Sequence, residues 1–478
     1  MPSRSQAAQS LAVKRAQVEY HNFASLGEPG RAIQTYAEEN IRRGAVIRNH
    51  LDFIGPMTPF LEIGANAGHS SYMLCNEFGA EGFASDLSAD SLRHGIALMD
   101  AWDLPRGPVR IAADALRLPF ADNSLRCVIA FQMLSQFMDI ESVFLEVKRV
   151  LAPGGVFLFA EEPLRRKLSL RIYRCPYWET MKPWERRLYE WGLLGYLVKD
   201  VIGAAQEEGF GIRQNHSMSL RDWHSLLRRH FDAHEIELFV PERGIGERWA
   251  KRLLRRIDKF GSDWLPARML GGTIAAFCKK SGETAAVQGP LLSILQCPDC
   301  GGTVQPDSDF ALCCAGCGYH APIEGGVYNL LSSSEKEALY PGDRDDVIDF
   351  SIPGHEKKLG EGWNELEGVY GNKFRWIGGA ATATLRDVRG GEQRLRIRGH
   401  AHENFFRGGQ SPKIRIVVNS SPCGSWSLDR VGLFVLEADV PAAPQYSIQI
   451  AAAPVWEVET DDRKFTVSLS MIRLDPRG

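Results

Sequence analysis

The chain has 478 residues, of which 44% are hydrophobic and 24% charged, and its formal net charge is -3. This composition is typical of a globular protein and excludes an intrinsically disordered one. At about 150 residues per domain, the length predicts roughly three domains. No apolar run is long enough to span a bilayer, and the first residues lack the apolar centre of a signal peptide, so we expect no transmembrane segment and a cytoplasmic location.

An N-terminal extension is predicted for residues 1–34. The first predicted element is a helix over residues 32–55, which begins at the end of this extension and in which apolar side chains recur at helical spacing. Short apolar strands then alternate with amphipathic helices as far as residue 282. The strands are predicted in PFLEIG, GFASDLS, VRIAADALRLPF, CVIAFQML and GGVFLFAEEP. This alternation predicts an α/β domain over residues 35–282, with a parallel sheet covered by helices on both faces.

The polar and glycine residues of this domain lie where strands end. The first strand is followed by Gly64, Asn66 and Gly68, the second ends in Asp86, and the third leads to Asp114. Parallel sheets bind ligands beyond the carboxyl ends of their strands, where small residues let a ligand reach backbone N–H groups. Each feature alone is equally compatible with a tight corner or a helix N-cap. Their ordered series favours a nucleoside pocket.

The segment from Glu62 to Pro163 resembles the class I S-adenosylmethionine-dependent methyltransferases, through LEIGANAG, SDLS, AADALRLPF and VKRVLAPGG. The resemblance implies that S-adenosyl-L-methionine is the cofactor. It also implies a set of cofactor-binding residues: Glu62, Gly64, Asn66, Gly68, Asp86, Leu87, Asp114, Ala115 and Phe131. This chain departs from the family at Asn66, which replaces the middle glycine, and at Gln136 or Ser135, which replaces a histidine. A nicotinamide dehydrogenase is set aside because its Gly-x-Gly-x-x-Gly spacing is missing.

Methyl transfer from a sulfonium mainly requires that donor and acceptor be positioned in line. If the acceptor is a hydroxyl, a base must also take its proton. The candidate bases are Glu161, Glu162, His216 and His21. If the acceptor is already nucleophilic, no base is needed and these carboxylates only bind substrate.

An insertion near residues 163–215 interleaves basic and aromatic residues. It resembles, in position, the acceptor-binding cap of the methyltransferase family. The side chains that would grip an anionic or sugar-containing acceptor are Arg165, Arg166, Tyr173, Trp178 and Trp184. The alternative is an amphipathic helical lid with a solvated basic face.

Five of the ten cysteines lie close together within residues 288–332. Cys297 and Cys300 form one C-x2-C pair, and Cys314 and Cys317 form a second. Two such pairs predict a structural zinc site with four thiolate ligands, whereas clustering of this kind is not typical of a disulfide framework. Cys313, the fifth cysteine of this segment, belongs to neither pair.

The same segment resembles the Trm112-type zinc ribbon, through LLSILQCPDCGG and PIEGGVYNLL. Proteins of that family bind and stabilise methyltransferases, so the resemblance implies an intramolecular partner here. Residues 290–332 contain no Lys or Arg but four acidic residues. Nucleic acid is therefore an unfavourable partner for the ribbon.

Residues 333–358 are polar and charged and predict a linker, with the alternative that part of it folds against a neighbour. Residues 359–478 contain short alternating runs separated by turn residues, which predicts an antiparallel β-sandwich. This module resembles a β-sandwich appended to bacterial enzymes of surface-polysaccharide assembly. Trp363, Trp376 and Trp456 are candidates for stacking on sugar rings, with core packing as the alternative. The module is predicted to bind glycan, a second copy of the chain or a partner enzyme.

Together these features predict a methyltransferase that modifies a hydroxyl of a saccharide or saccharide-linked acceptor. Two alternatives stay open at this point. One is an RNA methyltransferase, which the relatives of the ribbon suggest. The other is a non-catalytic, cofactor-binding scaffold, which Asn66 and the missing histidine suggest.

Overall fold

The computed structural model describes residues 11, 13–15, 17–18 and 29–477, with gaps at 138, 166–172, 176–182, 185–186, 188–193, 197–217, 243–244, 260, 262, 284–288, 309–310, 370–371, 407–411 and 430. The candidates His21, Arg166, Trp178 and His216 lie outside the described residues, as does the side chain of Tyr173. The chain folds into two compact units. Of the described residues, those between 11 and 18 and between 30 and 335 belong to the first unit, and Pro29 and those between 336 and 477 belong to the second.

Helices cover both faces of the sheet in the first unit. They are α1 (Pro29–Asn49), α2 (Leu51–Ile54), α3 (His69–Glu77), α4 (Ala89–His94), α5 (Ile96–Ala101), α6 (Ile140–Val150), α7 (Leu220–His230), α8 (Ile245–Ile257) and α9 (Trp264–Leu270). Capping residues fix several starts. The Asp139 side chain accepts from the Ser142 N–H before α6, and Ser219 and Asp222 form a capping box before α7.

The sheet of the first unit has eleven strands in the order β10-β11-β12-β13-β3-β2-β1-β4-β5-β9-β8. The seven strands of its α/β part are β1 (Phe60–Ile63), β2 (Gly82–Asp86), β3 (Val109–Ala112), β4 (Leu125–Phe131), β5 (Leu151–Leu164), β8 (Ala233–Phe239) and β9 (Gly272–Lys279). Strands β1 to β5 run parallel, and β9 is antiparallel to both of its neighbours. A further pair, β6 (Tyr173–Cys175) and β7 (Leu194–Tyr196), stands apart from this sheet.

The order of these strands confirms the predicted doubly wound α/β fold. Strand order reverses between β1 and β4, which is where such sheets open a crevice for a ligand. Every residue of β1, β2 and β4 is buried, as expected for central parallel strands covered on both faces.

The cysteine-rich segment continues the same sheet instead of forming a separate module. Its strands are β10 (Gln305–Ser308), β11 (Ala311–Cys313), β12 (His320–Glu324) and β13 (Val327–Asn329). Strand β13 pairs in parallel with β3, and the Leu330 N–H donates to the Ala112 carbonyl at 2.9 Å. The edge of β3 offers backbone groups that a further strand can bind, and β13 occupies that position.

The stretch predicted as a linker, residues 333–358, is folded in part. This stretch contains α10 (Ser333–Leu339), β14 (Val347–Asp349) and a 3-10 helix at His355–Lys358. Strand β14 pairs with β25, and Val347, Ile348 and Phe350 are buried. A few apolar residues in a polar stretch were enough to anchor it in a hydrophobic core.

The second unit contains two antiparallel sheets around one hydrophobic core, in agreement with the predicted sandwich. One sheet has the order β15-β16-β25-β18-β21, with β14 added to β25, and the other has the order β17-β22-β19-β20. The strands are β15 (Trp363–Val369), β16 (Asn372–Ile377), β17 (Ala380–Arg386), β18 (Gln393–Ala401), β19 (Lys413–Val418), β20 (Ser421–Ser427), β21 (Gly432–Val440), β22 (Gln445–Ala453), β23 (Trp456–Val458), β24 (Asp461–Phe465) and β25 (Ser468–Pro476).

No helix in the described part of the chain combines the length and the apolar character needed to cross a membrane.

Candidate functional site

A cavity opens at the carboxyl ends of β1 to β4. It is lined by eight of the nine residues predicted to bind a cofactor, all except Gly68. Those eight are Glu62, Gly64, Asn66, Asp86, Leu87, Asp114, Ala115 and Phe131. The cavity wall also includes Gln136, which the sequence analysis named as a departure from the family. It further includes residues that the sequence did not indicate, namely Gln17, Tyr36, Glu39, Arg43, His69, Gln132, Met133 and Phe137.

The turn after β1 uses three left-handed residues in quick succession. Gly64, Asn66 and Gly68 have φ values of 67°, 53° and 77°. Asparagine is among the few residues that adopt this conformation at low cost, so Asn66 fits the turn as the family's glycine would. The backbone at this point does approach the cavity despite the substitution.

The two glycines of the turn are needed for different reasons, because an added Cβ would meet different neighbours. A Cβ added to Gly64 would lie 2.9 Å from the Cβ of Met133, across the cavity wall. A Cβ added to Gly68 would lie 3.3 Å from the Cβ of Ala84, which belongs to β2. Gly68 therefore lets α3 pack closely on the sheet and is absent from the cavity lining.

Asp86 is fixed at the end of β2 by two backbone donors. Its Oδ2 accepts from the Asn66 N–H and its Oδ1 from the Ser88 N–H, both at 2.8 Å. Each carboxylate oxygen can accept a second hydrogen bond. The side chain is thus oriented with acceptor capacity left for a ligand with two neighbouring hydroxyls.

Asp114 is tied to a residue far away in the sequence. Lys14 donates to Asp114 Oδ2 at 2.8 Å and also pairs with Glu335, which follows the cysteine-rich strands. The other oxygen of Asp114 accepts from the Leu116 N–H at 3.1 Å. The sequence gave no signal for Lys14, because the residues of this ion triad come from three separate parts of the chain.

Two acidic side chains near the strand ends are almost completely buried. Burial raises the pKa of Glu62 to about 7, and its partner is the hydroxyl of Ser71. Burial also raises the pKa of Glu162 to about 7, and its oxygens accept from the Leu134 and Ser135 N–H groups at 2.7 and 3.0 Å. Glu162 thereby anchors the 3-10 helix at Leu134–Gln136, which follows β4.

A charged cluster on α1 forms another part of the cavity wall. Arg43 donates to Glu161 through Nε and Nη2, and its guanidinium lies 4.5 Å from the centre of the Phe131 ring. His69 contacts both Arg43 and Glu39, at 2.6 and 2.9 Å. Burial lowers the pKa of His69 to about 4, so this imidazole is neutral near pH 7.

The contacts of this cluster show where the carboxylates predicted as bases lie relative to the cavity. Neither Glu161 nor Glu162 lines the cavity, although Glu161 reaches it indirectly through Arg43. Their role as proton acceptors stays a prediction. The sequence missed Arg43 and Glu39 because a charged residue on a helix is usually solvated. Packing of α1 on the sheet buries Arg43 and leaves Glu39 partly buried beside it.

The four predicted metal ligands converge at one point. The Sγ atoms of Cys297 and Cys317 are 3.6 Å apart, and those of Cys300 and Cys314 are 3.5 Å apart. Tetrahedral zinc with Zn–S bonds of about 2.3 Å requires sulfur atoms about 3.8 Å apart. The donor set and its spacing therefore fit a structural zinc ion.

The tryptophans of the second unit are held by hydrogen bonds and ring contacts. Trp363 and Trp456 donate from Nε1 to the carbonyls of Thr382 and Thr466, at 2.7 and 3.0 Å. Trp376 packs edge-on against Trp456, with ring centres 5.5 Å apart. These contacts favour core packing, and sugar stacking stays a prediction. In the insertion, Trp184 is 54% exposed and Arg165 is exposed.

Comparison with known proteins finds a matching family and several relatives. Residues 61–159 match the family described as a methyltransferase domain. Phosphoethanolamine N-methyltransferase 2 from Caenorhabditis elegans is 26% identical over 203 residues, 42% of this chain and 43% of that protein. Demethylmenaquinone methyltransferase from Corynebacterium urealyticum is 36% identical over 114 residues, 24% of this chain and 45% of that protein. The chain thus spans less than half the length of these two relatives.

One solved structure illustrates the structural matches. Phospholethanolamine N-methyltransferase 2 from Haemonchus contortus, in complex with phosphomonomethylethanolamine and S-adenosylhomocysteine, is 17% identical. That match covers 50% of this chain and 53% of the other, with a TM-score of 0.33.

Proposed function

We propose that this chain, which contains a methyltransferase domain over residues 61–159, is an S-adenosylmethionine-dependent methyltransferase of a small-molecule acceptor. The observation that carries the proposal is the cavity at the strand ends. There the backbone of the turn after β1 and the oriented carboxylate of Asp86 face the same space. This combination suits a nucleoside with a short charged tail.

Different residues of the cavity would bind different parts of such a cofactor. Asp86 would accept from the two ribose hydroxyls, and Asp114 would lie near the adenine amino group while keeping Lys14. Gly64 leaves space beside Met133 that a side chain would fill. The cofactor supplies an electrophilic methyl group on a sulfonium. The chain's own part is to exclude water and align the acceptor with that methyl group.

Among small-molecule acceptors, the sequence analysis favours the hydroxyl of a saccharide, and we propose this acceptor class. The relatives named above suggest two further chemical classes, an amine and a quinone ring carbon. A hydroxyl acceptor requires a proton acceptor at the cavity, whereas an unprotonated amine needs none. Glu161, Glu162 and His216 remain the candidates from the sequence for that role.

The cysteine-rich strands are proposed to hold structural zinc and to support the methyltransferase domain from within the chain. Pairing of β13 with β3 provides the contact, and Glu335 extends it to Lys14 beside Asp114. The lack of basic residues between 290 and 332 argues against a nucleic-acid acceptor. Glycan binding or association through the second unit remains a proposal from the sequence.

Isothermal titration calorimetry with S-adenosylmethionine and S-adenosylhomocysteine tests the proposal. We expect binding by the natural chain and a loss of more than about tenfold in affinity for Asp86→Asn, because two hydrogen bonds from hydroxyls to a charged group are weakened. Asp100→Asn is the matched control, since Asp100 is exposed on α5. Absence of cofactor binding by the natural chain would leave only a structural role.

The acceptor class is tested with radiolabelled methyl donor. Saccharides, phosphoethanolamine and demethylated quinones are offered separately, and RNA is added as a fourth arm. Label in the saccharide arm supports the narrower proposal. Label in another small-molecule arm retains the methyltransferase and replaces the acceptor, and label in RNA alone would refute a small-molecule acceptor.

A further inference from the structure

Cys313 is not needed for the four-cysteine site, yet it lies beside two other metal-binding side chains. It belongs to β11, where Leu312 is buried and Cys313 is partly exposed. Successive residues of a strand face opposite sides. Cys313 therefore lies on the face opposite Leu312, the outer face of these strands. Ala311 on this face is buried, whereas Cys313 is partly exposed.

The pairing of the strands brings His320 and Asp307 to this outer face. Cys313 is directly opposite His320 on β12, so the two side chains share one face. On β10 the register shifts between Pro306 and Ser308, which makes Asp307 the extra residue of a bulge. Bulges commonly re-aim a side chain. The result is a thiol, an imidazole and a carboxylate from three neighbouring strands.

The distances within this trio fit a metal ion. One ligand atom from each side chain lies within 4.8 Å of the other two. Zinc bonds of about 2.0 to 2.3 Å place tetrahedral ligand atoms about 3.3 to 3.8 Å apart. Small side-chain rotations close the remaining gap, because Asp307 and His320 are exposed and can move.

We propose that Asp307, Cys313 and His320 form a second zinc site, separate from the four-cysteine site and independent of the methyltransferase function. The thiolate and imidazole favour zinc over magnesium or calcium, which prefer all-oxygen ligands. Three protein ligands leave a fourth position for water or another small ligand. Sites of this kind are open, in contrast to the closed set of four thiolates.

Metal stoichiometry tests the second site. The full chain is loaded with excess zinc, dialysed and analysed for zinc per chain. We expect two zinc ions for the natural chain and one for Cys313→Ser and for His320→Ala. Cys423→Ser is the control, because Cys423 lies in the second unit, and it should retain two. One zinc in the natural chain, or two in both ligand variants, would overturn the proposal.

Cobalt substitution gives a second readout that does not depend on counting ions. Cobalt in a site with one thiolate gives weaker sulfur-to-metal charge-transfer absorption than cobalt bound by four thiolates. We expect the second equivalent of Co²⁺ to add the weaker spectrum and Cys313→Ser to remove that part alone. A titration that saturates at one equivalent, with only the four-thiolate spectrum, would mean that the trio is merely hydrogen-bonded.

Discussion

Arg43 donates from both Nε and Nη2 to one carboxylate oxygen of Glu161, at 3.0 and 2.8 Å, and so joins α1 to β5. The guanidinium is almost completely buried, and Glu39 lies 3.3 Å from its Nη2. This pair fastens α1, whose Arg43 lines the cavity, to the central sheet.

Removal of the Arg43 side chain should strongly destabilise the first unit. Arg43→Ala leaves Glu161 and Glu39 without their buried cation, and one-sided loss of such a pair costs about 3 kcal/mol or more. Arg42→Ala is the control, because Arg42 is 60% exposed and 3.8 Å from Glu161, and it should cost less than about 1 kcal/mol. Urea unfolding measures both, and equal losses would contradict the assigned role of Arg43.

Glu62 should make the protein less stable as the pH rises from about 4.5 to about 7. The unfolded carboxyl ionises near 4.5, whereas the folded one keeps its proton until about 7. Ionisation therefore favours the unfolded chain throughout this window, by about 3 kcal/mol at its upper end. Glu62→Gln should be more stable than the natural chain at pH 8 and lose that advantage at pH 4.

The matched control for this pH effect is Glu81→Gln. Glu81 is exposed just before β2, so its replacement should leave the pH dependence unchanged. Urea unfolding at several pH values measures the three proteins. Parallel curves for the natural chain and Glu62→Gln would show that burial does not shift the titration of Glu62.

Gly64→Ala should harm both stability and cofactor binding. Gly64 and Gly79 have φ values of 67° and 65°, but an added Cβ meets nothing within 4 Å at Gly79 and lies 2.9 Å from the Cβ of Met133 at Gly64. Gly79→Ala therefore measures the backbone cost alone, about 1 kcal/mol. We expect Gly64→Ala to exceed this by 1 kcal/mol or more, since overpacking typically costs about 1–3 kcal/mol. An equal loss of unfolding free energy in the two variants would contradict this steric role of Gly64.

Loss of the four-cysteine site should weaken cofactor binding at a distance. Cys297→Ser should disorder the strands that end in β13, and β13 pairs with the strand that leads to Asp114. We expect affinity for S-adenosylmethionine to fall about tenfold, a common size for coupling between sites. Calorimetry on Cys297→Ser and on Cys423→Ser measures the effect. Unchanged affinity in Cys297→Ser would show that the two parts of the sheet are independent.

Local sequence patterns predicted much of the site. The turn at Gly64 and the acid at Asp86 follow apolar strands, and strand ends in a parallel sheet meet at one edge, so their convergence was foreseeable. The metal site was equally predictable, because zinc-binding cysteines occur at a fixed spacing in the sequence. Arg43 and Lys14 were not foreseeable, since their partners are remote in sequence and an isolated charge is usually solvated.

The strand and helix alternation, the polar residues at the strand ends and the two cysteine pairs follow from the sequence by itself, because each depends on short-range periodicity or spacing. Only the tertiary structure decided that β13 extends the α/β sheet, that Asn66 adopts a left-handed conformation, and which parts of residues 333–358 fold. These outcomes depend on which edges and apolar side chains meet across long sequence separations, and burial against a specific partner sets their free energy.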